Sequence, residues 1–273
     1  MAVEATHYVG VDWSAGAWVT AVYSDRRDAP TVKIFDEIQE LWDAYGDTSH
    51  RIVIDVPIGL CDSLDADECP CLEADGKLSR ACDDLARRVV GEQYRSVFTA
   101  PARQATQLAA RGETGYPEIT EKNRELTGKG LSQQAASISR GIVEVEELLL
   151  NGGDEEVLFE GHPEVCFWAF NGEPLNHSKR TAPGVDERLS AITDVAEYDD
   201  CDWRALARAL GEVAHGVQLD DLLDALVLAL TACADDTELK TLPPCPPTDG
   251  KGLPMQMVYR SEEELHTVSG EGS

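Results

Sequence analysis

The chain has 273 residues, of which 51 are acidic and 23 are basic, so its formal net charge is −28. No apolar run reaches the length of about 18 residues that indicates a membrane span, and no signal-peptide core is present, so we expect a cytoplasmic protein. Eight cysteines scattered through a chain of this length argue against a small secreted disulfide scaffold.

The composition of the charged residues resembles that of proteins from extreme halophiles, because 16 arginines stand against 7 lysines in a strongly acidic chain. In molar salt the Debye length falls to roughly 3 Å, so repulsion between the acidic side chains is screened while they keep the surface solvated. We therefore interpret the net charge as an adaptation to salt rather than as a clue to a partner.

The first predicted element is a β-hairpin over residues 8–23. Two apolar runs flank a turn at Gly16, and Asp12 lies near the end of the first run. A strand that is apolar on both faces is typical of the middle of a sheet covered on both sides. Open α/β sheets bind ligands at the carboxyl ends of such strands, so Asp12 is a candidate site residue. The alternative is that Asp12 only shapes the turn.

A third strand, a helix and a fourth strand are predicted next. Residues 31–35 alternate between polar and apolar, which predicts a strand that extends the hairpin into a meander. Residues 36–46 carry apolar side chains at helical spacing and lead to an apolar run over residues 51–59. A right-handed crossover makes this fourth strand parallel to the first. It also carries one aspartate, Asp55, shortly before Pro57 ends it.

Residues 61–150 differ from their surroundings and are predicted to form a helical insertion. Over residues 80–140, ten basic residues stand against seven acidic ones, a net charge of +3 in an otherwise acidic chain. This charge favours contact with an anionic ligand, and we expect Arg87, Arg88 and Arg95 to face it. The alternative of equal weight is pairing with the protein's own acids.

Four cysteines fall within 22 residues of one another: Cys61, Cys69, Cys71 and Cys82. Their spacing lacks the paired C-x2-C knuckles of common zinc sites. We therefore expect reduced thiols without a metal, and a zinc site is the alternative.

After the insertion the pattern predicts one more strand among helices. A helix with one buried stripe is predicted over residues 132–149. Residues 157–162 form the fifth strand, which carries Glu160 and ends at His162, and Pro163 begins the next helix. His162 is a candidate ligand, with a purely structural histidine as the alternative.

The closing helix is predicted over residues 219–230. It is apolar nearly all the way round, with its acids in the first turns, and Asp221 and Asp224 lie three residues apart on one face. Like charges at this spacing are unfavourable in a buried helix unless a cation lies between them. Residues 241–254 are expected to be extended on the surface, and residues 255–259 to add an edge strand before a disordered C-terminus.

Together these elements resemble the ribonuclease H-like fold, an α/β fold with a mixed five-stranded sheet, helices on both faces and here a helical insertion. Asp12, Asp55, Asp221 and Asp224 fall where that superfamily keeps its metal ligands, and the last two resemble the D-x-x-D-A signature of Holliday-junction resolvases. The domain would span residues 1–235, with the insertion at about 61–150, and be followed by a C-terminal extension over 236–273.

The chain is more closely similar to domain of unknown function 429, a family described as predicted nucleases of this fold. The matching stretches are Gly10-Val-Asp-Trp-Ser, Ile54-Asp-Val-Pro-Ile-Gly-Leu, Arg80-Ala-Cys-Asp83 with Ala86-Arg87, Ser96-Val-Phe-Thr-Ala-Pro101, Gly130-Leu-Ser-Gln-Gln134, Glu160-Gly-His-Pro-Glu164 and Asp220-Asp-Leu-Leu-Asp-Ala225.

The resemblance implies a divalent-metal-dependent nuclease with two Mg²⁺ or Mn²⁺ ions at the scissile phosphodiester bond. Asp12 would bridge both ions, Asp55 would hold one and Asp221 or Asp224 the other, with Glu160 in support. Nucleic acid, either DNA or RNA, would be the substrate. The predicted substrate-binding residues are Arg87, Arg88, Arg95, Lys129, His162 and Lys179.

Two alternatives remain open at this stage. The first is an actin-like or sugar-kinase-type phosphotransferase, whose opening strand resembles residues 10–14. Such enzymes need two glycine-rich phosphate turns, and only Gly59 and the pair Gly128 and Gly130 are present as candidates. The second is a nucleic-acid-binding protein without catalytic activity, which would keep the carboxylates for the fold. Binding of a divalent metal in molar salt separates it from the nuclease.

Overall fold

A mixed five-stranded sheet lies at the centre of the protein. The computed structural model describes residues 6–25, 29–62, 70–71, 78–199, 201–213 and 216–265. The strands of the sheet are β1 (His7–Ser14), β2 (Ala17–Tyr23), β3 (Thr31–Phe35), β4 (Ser49–Ile54) and β5 (Leu158–Glu160). Their order is β3-β2-β1-β4-β5. The first three strands are antiparallel neighbours, and β4 and β5 run parallel to β1. The predicted α/β class, meander and parallel fourth strand are confirmed.

Helices pack on both faces of this sheet. They are α1 (Ile38–Tyr45), α2 (Ala81–Val89), α3 (Arg103–Arg111), α4 (Tyr116–Thr127), α5 (Gln133–Ser137), α6 (Ser139–Leu150), α7 (Pro163–Asn171), α8 (Ala182–Thr193), α9 (Trp203–Val213) and α10 (Leu219–Ala232). On one face α1 and α6 pack against β1 and β4 in one apolar core. On the other face α10 and α7 form the centre of a larger core. No helix among the described residues is long and apolar enough to cross a membrane.

Helix α10 and the sheet approach each other closely at Gly10 in β1. A Cβ atom at this position would lie 2.1 Å from the backbone oxygen of Ala225 and 2.1 Å from the backbone nitrogen of Ala229. Only glycine, which has no side chain, allows α10 to lie this close to β1. This contact holds the middle of α10 against the middle of β1.

Two predicted elements differ in detail from the structure. The helix expected over residues 132–149 is divided into α5 and α6, which meet at Ile138. Ser132 caps the first of them, since its hydroxyl accepts a hydrogen bond of 3.0 Å from the backbone N–H of Ala135. The predicted buried stripe is nevertheless present, with Ile142 and Val145 fully buried.

Residues 241–254 lie mostly at the surface, as expected, whereas the residues that follow them pack into the protein. Strands β6 (Leu239–Leu242) and β7 (Met257–Arg260) form a separate antiparallel pair. Met255 and Val258 are fully buried in the core beside α10. The expected strand near residue 257 is therefore present, but its partner β6 was not predicted. The expectation of a disordered end falls on residues 266–273, which lie outside the described residues.

The cysteine prediction is wrong at two positions, because Cys61 and Cys71 form a disulfide bond. Both residues lie in irregular loop structure, so no periodic pattern in the sequence indicates that they meet. Cys82 is a buried free thiol, and Cys69 lies outside the described residues. Disulfides are typical of oxidising environments, so a cytoplasmic location stays a prediction.

Candidate functional site

Two aspartates lie side by side at the carboxyl ends of the central parallel strands. In β1, Val9 and Val11 face the core of α1 and α6, so Asp12 faces α10, as Gly10 does. Asp55 directly follows β4, and its backbone N–H donates a hydrogen bond of 2.9 Å to the carbonyl of Val11. The pleat therefore directs both carboxylates to the same face of the sheet, as the sequence predicted for one shared site.

Helix α10 brings further carboxylates to this point. Asp224 is buried and Oδ1 of its carboxylate has no hydrogen-bond partner among the described residues. Asp221 has a structural role in addition, because its side chain accepts a hydrogen bond of 2.6 Å from the backbone N–H of Gln218 in a capping box. Asp224 is thus the carboxylate of the predicted pair with an oxygen left free.

Lys179, from the loop between α7 and α8, reaches into this group of acids. Its Nζ lies 2.5 Å from Oδ2 of Asp224 and 3.8 Å from Oδ2 of Asp220. The sequence predicted Lys179 as a substrate-binding residue, whereas here it pairs with a carboxylate of the cluster. We call Asp12, Asp55, Asp220, Asp221 and Asp224 the aspartate cluster.

Burial and mutual repulsion shift the protonation equilibria of this cluster. Burial raises the pKa of Asp12 well above its ordinary value, and the neighbouring Asp224 and Asp55 raise it further. Burial also raises the pKa of Asp55, although His162 and Lys179 oppose that shift. For Asp224, burial raises the pKa to about 7 despite the ammonium group of Lys179. The cluster holds more negative charge than one lysine can neutralise.

Two adjoining cavities open onto the aspartate cluster. The larger, which we call the acidic cleft, has a volume of about 680 Å³ and is lined by Asp12, Asp55, Asp220 and Asp221. The smaller, which we call the side pocket, has a volume of about 280 Å³ and is lined by Asp55 and Asp224 from the other side. Phe98, Gln134, Lys179 and Arg180 line both cavities. The helical insertion therefore forms one wall of the site.

Glu160, which the sequence placed in support of the aspartates, does not join them. In the register of β4 and β5, Glu160 pairs with Ile54. Ile54 belongs to the core on the face of the sheet away from α10, so the side chain of Glu160 lies on that face too. There its two carboxylate oxygens lie 2.6 and 2.8 Å from a guanidinium nitrogen of Arg80, and one accepts a bond of 2.7 Å from the backbone N–H of Ile58. Its role here is to hold the insertion against the sheet.

The same arginine fills a second place where a cation could bind. Potential ligand atoms of Cys82, Asp83 and Glu160 lie within 4.8 Å of one another. A guanidinium nitrogen of Arg80 lies 2.9 Å from Sγ of Cys82 and 3.3 Å from a carboxylate oxygen of Asp83. Arg80 thus occupies the place of a cation in this buried group and offsets one of its two carboxylate charges.

The basic residues of the insertion are partly engaged by the protein itself. Arg87 binds Asp84 at 2.7 Å and the carbonyl of Val97 at 3.0 Å. Arg88, Arg95 and Lys129 are exposed. Arg87, Arg88, Arg95 and Lys129 are all described residues, and none of them lines the acidic cleft or the side pocket. Contact between the exposed ones and an anion stays a prediction.

His162 and Glu164 line the side pocket. Nε2 of His162 is 3.4 Å from the carbonyl oxygen of Ser96, so this nitrogen is the donor. Glu164 forms a buried ion pair with Arg188. Nδ1 of His162 is buried without a hydrogen-bond partner among the described residues, and His162 opposes the raised pKa of Asp55, so its role as a ligand stays a prediction.

Sequence reasoning missed several residues of this site. Asp220 was not assigned a role, and Glu164 was explained by the helix dipole alone, although it raises the pKa of both Asp55 and Asp224. Phe98 and Gln134 occur in stretches that matched the family, and this match was the only indication in the sequence that they belong to a site. Their irregular surroundings gave no way to place them beside the aspartates.

Comparison with known proteins identifies one family. The family model described as "Protein of unknown function (DUF429)" matches residues 10–248. No curated protein and no solved structure matches the chain.

Proposed function

The chain belongs to the DUF429 family of proteins of unknown function, and on that premise we propose that it is a divalent-metal-dependent nuclease of ribonuclease H-like fold. The observation that carries this proposal is the convergence of Asp12, Asp55 and Asp224 from three separate elements. The strand order β3-β2-β1-β4-β5 with α10 packed on β1 supports the fold assignment.

The donor chemistry of the aspartate cluster suits a hard divalent cation such as Mg²⁺ or Mn²⁺, although among the described residues three ligand atoms lie within 4.8 Å of one another only at Cys82, Asp83 and Glu160, so the aspartates would have to draw closer around an ion. All donors are carboxylate oxygens, which these ions prefer. Asp224 carries a buried oxygen without a partner among the described residues. A buried, unpaired carboxylate is unfavourable, and burial accordingly raises the pKa of Asp224 to about 7. A bound cation would relieve this cost.

Asp12, Asp55 and Asp224 would hold the metal. When bound, it would activate a water molecule and stabilise the leaving oxygen of a phosphodiester. The protein's own contribution is to position the substrate. Arg180 lines both cavities and is exposed, so its guanidinium is available to a phosphate group at the rim. Lys179 supplies positive charge next to Asp224 and keeps one cluster oxygen oriented.

The acidic composition is part of the same proposal. A net charge of −28 repels nucleic acid at low salt. In molar salt this repulsion is screened, so recognition rests on short-range contacts in the cavities rather than on the overall field. We propose that the protein works in such a medium, and assays belong in molar KCl.

Cleavage of end-labelled DNA and RNA oligonucleotides, with Mg²⁺ or Mn²⁺ in molar KCl, tests this function. We expect the wild type to cleave, and Asp12→Asn to lose cleavage while staying folded. Asp47→Asn, which changes an exposed aspartate outside the site, is the matched control and should cleave as the wild type does. Cleavage by Asp12→Asn at the wild-type rate contradicts the proposal. Metal-dependent binding without cleavage supports the non-catalytic alternative.

A further inference from the structure

Asp55 and Asp224 are the only proposed metal ligands that line the side pocket. The size of the pocket and its other lining residues indicate that it binds a separate group of the ligand. Ligand pockets commonly run from about 300 to 1,000 Å³. At about 280 Å³, the side pocket is suited to one small ring system and too small for a base pair. It adjoins the acidic cleft, so its occupant would be connected directly to the group at the aspartate cluster.

The charges around the side pocket are balanced. Three acidic residues line it, Asp55, Glu164 and Asp224, and three basic ones, Lys179, Arg180 and Arg188. Two of the acids are paired with two of the bases, Asp224 with Lys179 and Glu164 with Arg188. A free phosphate therefore gains little from entering, whereas a neutral polar ring meets no net repulsion.

Phe98 and Gln134 supply the contacts that such a ring needs. Phe98 packs against the small core formed by Ala105, Ile119 and neighbouring residues, yet it stays partly exposed at the wall shared by both cavities. An aromatic face in this position can stack on a base. Gln134 is exposed, and its side-chain amide binds no other described residue, so its donor and acceptor remain available.

A contact of Gln93, which also lines the pocket, joins two segments of the chain there. Nε2 of Gln93 donates to the carbonyl of Asn176 at 3.5 Å, which connects the short 3-10 helix Gly91–Ser96 to the loop that carries Lys179. Gln93 belongs to the insertion, whereas Asp55 follows β4 of the sheet and Asp224 belongs to α10. The pocket is thus formed where the insertion meets the aspartate cluster.

Resting on the proposed nuclease function, we infer that the side pocket receives the unpaired base of the nucleotide next to the scissile phosphate, stacked on Phe98 and hydrogen-bonded by Gln134. The substrate class is therefore single-stranded nucleic acid, or a strand with an extruded base, rather than a regular duplex. A base held in a duplex cannot reach a pocket that accepts one ring system.

Binding of a single-stranded oligonucleotide that contains 2-aminopurine tests the inference independently of cleavage. The titration uses Ca²⁺ in place of Mg²⁺, in molar KCl, and is repeated with DNA and RNA forms of the probe. We expect fluorescence quenching with the wild type, because the base stacks on an aromatic ring. Phe98→Ala should weaken binding by about 5- to 150-fold, the usual range for loss of one base–aromatic stack. Phe98→Tyr should retain both quenching and affinity.

Two further variants guard against a simple loss of folding. Gln134→Ala changes an exposed side chain and should weaken binding of the base-containing probe several-fold. It should not change the binding of an otherwise identical probe in which this nucleotide is abasic. Tyr94→Ala removes an exposed aromatic ring that lines neither cavity, and should bind as the wild type does. Equal binding of base-containing and abasic probes by the wild type overturns the inference.

Cleavage assays separate the two proposals. If the wild type cleaves in an Asp12-dependent manner, but duplexes are cut as fast as single strands and folded Phe98→Ala is fully active, the nuclease function stands and the base pocket is wrong. If no cleavage occurs but base-dependent quenching is lost in Phe98→Ala, the base pocket stands and the nuclease function is wrong.

Discussion

The ammonium group of Lys179 lies 2.5 Å from Oδ2 of Asp224, at the inner end of a cluster of five aspartates. Burial opposes the charged form of this lysine, but the nearby Asp224, Asp12 and Asp55 raise its pKa above the ordinary value. Lys179 therefore occupies the position of a partial counter-ion. A divalent cation at the same carboxylates would compete with it.

Replacing Lys179 by methionine removes this competitor. At pH 8, above the pKa of about 7 of Asp224, we expect Lys179→Met to bind Mn²⁺ about 10-fold more tightly than the wild type, which corresponds to about 1.4 kcal/mol. Isothermal titration calorimetry measures the change. Lys122→Met, which removes an exposed lysine paired with Glu125 on α4, is the control and should leave the affinity unchanged. Unchanged or weaker binding by Lys179→Met contradicts the competition.

The metal-free protein should lose stability as the pH rises towards neutrality. The pKa of Asp224 is raised from 3.8 to about 7 in the folded protein. Between these values the folded state keeps a proton that the unfolded state has released, so the free energy of unfolding falls with rising pH. The stabilisation is complete below the unfolded pKa and is lost as the pH passes about 7.

Urea denaturation at a series of pH values, with a chelator present, measures this dependence. The slope from one such group is at most about 1.4 kcal/mol per pH unit. Asp224→Asn should give a flatter profile over the same range. Parallel profiles for the two proteins would show that Asp224 titrates normally. Mn²⁺ affinity should rise with pH over this interval, because the metal and the proton compete for the same oxygens.

Gly10→Ala should damage both the fold and the site. The added Cβ would lie 2.1 Å from backbone atoms of Ala225 and Ala229, which cannot move without displacing α10. We expect a loss of about 3 kcal/mol in the free energy of unfolding, together with weaker Mn²⁺ binding. Gly211→Ala on α9 meets no atom within 4 Å and is the matched control. A Gly10→Ala protein as stable as the wild type would contradict the close contact between α10 and β1.

The disulfide between Cys61 and Cys71 should contribute measurably to stability. It closes a loop with a sequence separation of 10. For a loop of this length the reduction in unfolded-state entropy corresponds to about 3 kcal/mol. Thermal melts with and without reductant test this, and Cys71→Ser should abolish the effect of reductant. Cys245→Ser changes an exposed free thiol and should melt like the wild type under both conditions.

The residues predicted best from the sequence are those on regular elements. Asp12 and Asp55 stand at the ends of apolar strands, and strand parity together with a parallel crossover places them on one face. Asp221 and Asp224 were predicted from their spacing on the buried α10 and from the D-x-x-D-A resemblance, which left the choice between them open. Glu160 was assigned to the wrong face of the sheet because β5 has only three residues. The register of so short a strand decides which face each side chain occupies, and a shift of one residue moves every side chain to the other face.

The loop residues could not be predicted in this way. Lys179 lies in a polar loop without periodicity, and its ion pair with Asp224 spans 45 positions in sequence. The positive charge of the insertion suggested an anion-binding surface, yet Arg80 and Arg103 are buried in ion pairs with the protein's own acids. Net charge over a segment does not distinguish internal pairs from a binding surface.

Titration of Mn²⁺ followed by electron paramagnetic resonance tests the central claim, that the aspartate cluster is a divalent-metal site, most directly. The free-ion signal in molar KCl at pH 8 reports bound metal for the wild type, for Asp12→Asn and for the Asp47→Asn control. We predict saturable binding by the wild type and the control, and its loss in Asp12→Asn. Absence of saturable binding by the folded wild type, or equal binding by folded Asp12→Asn, would contradict the account.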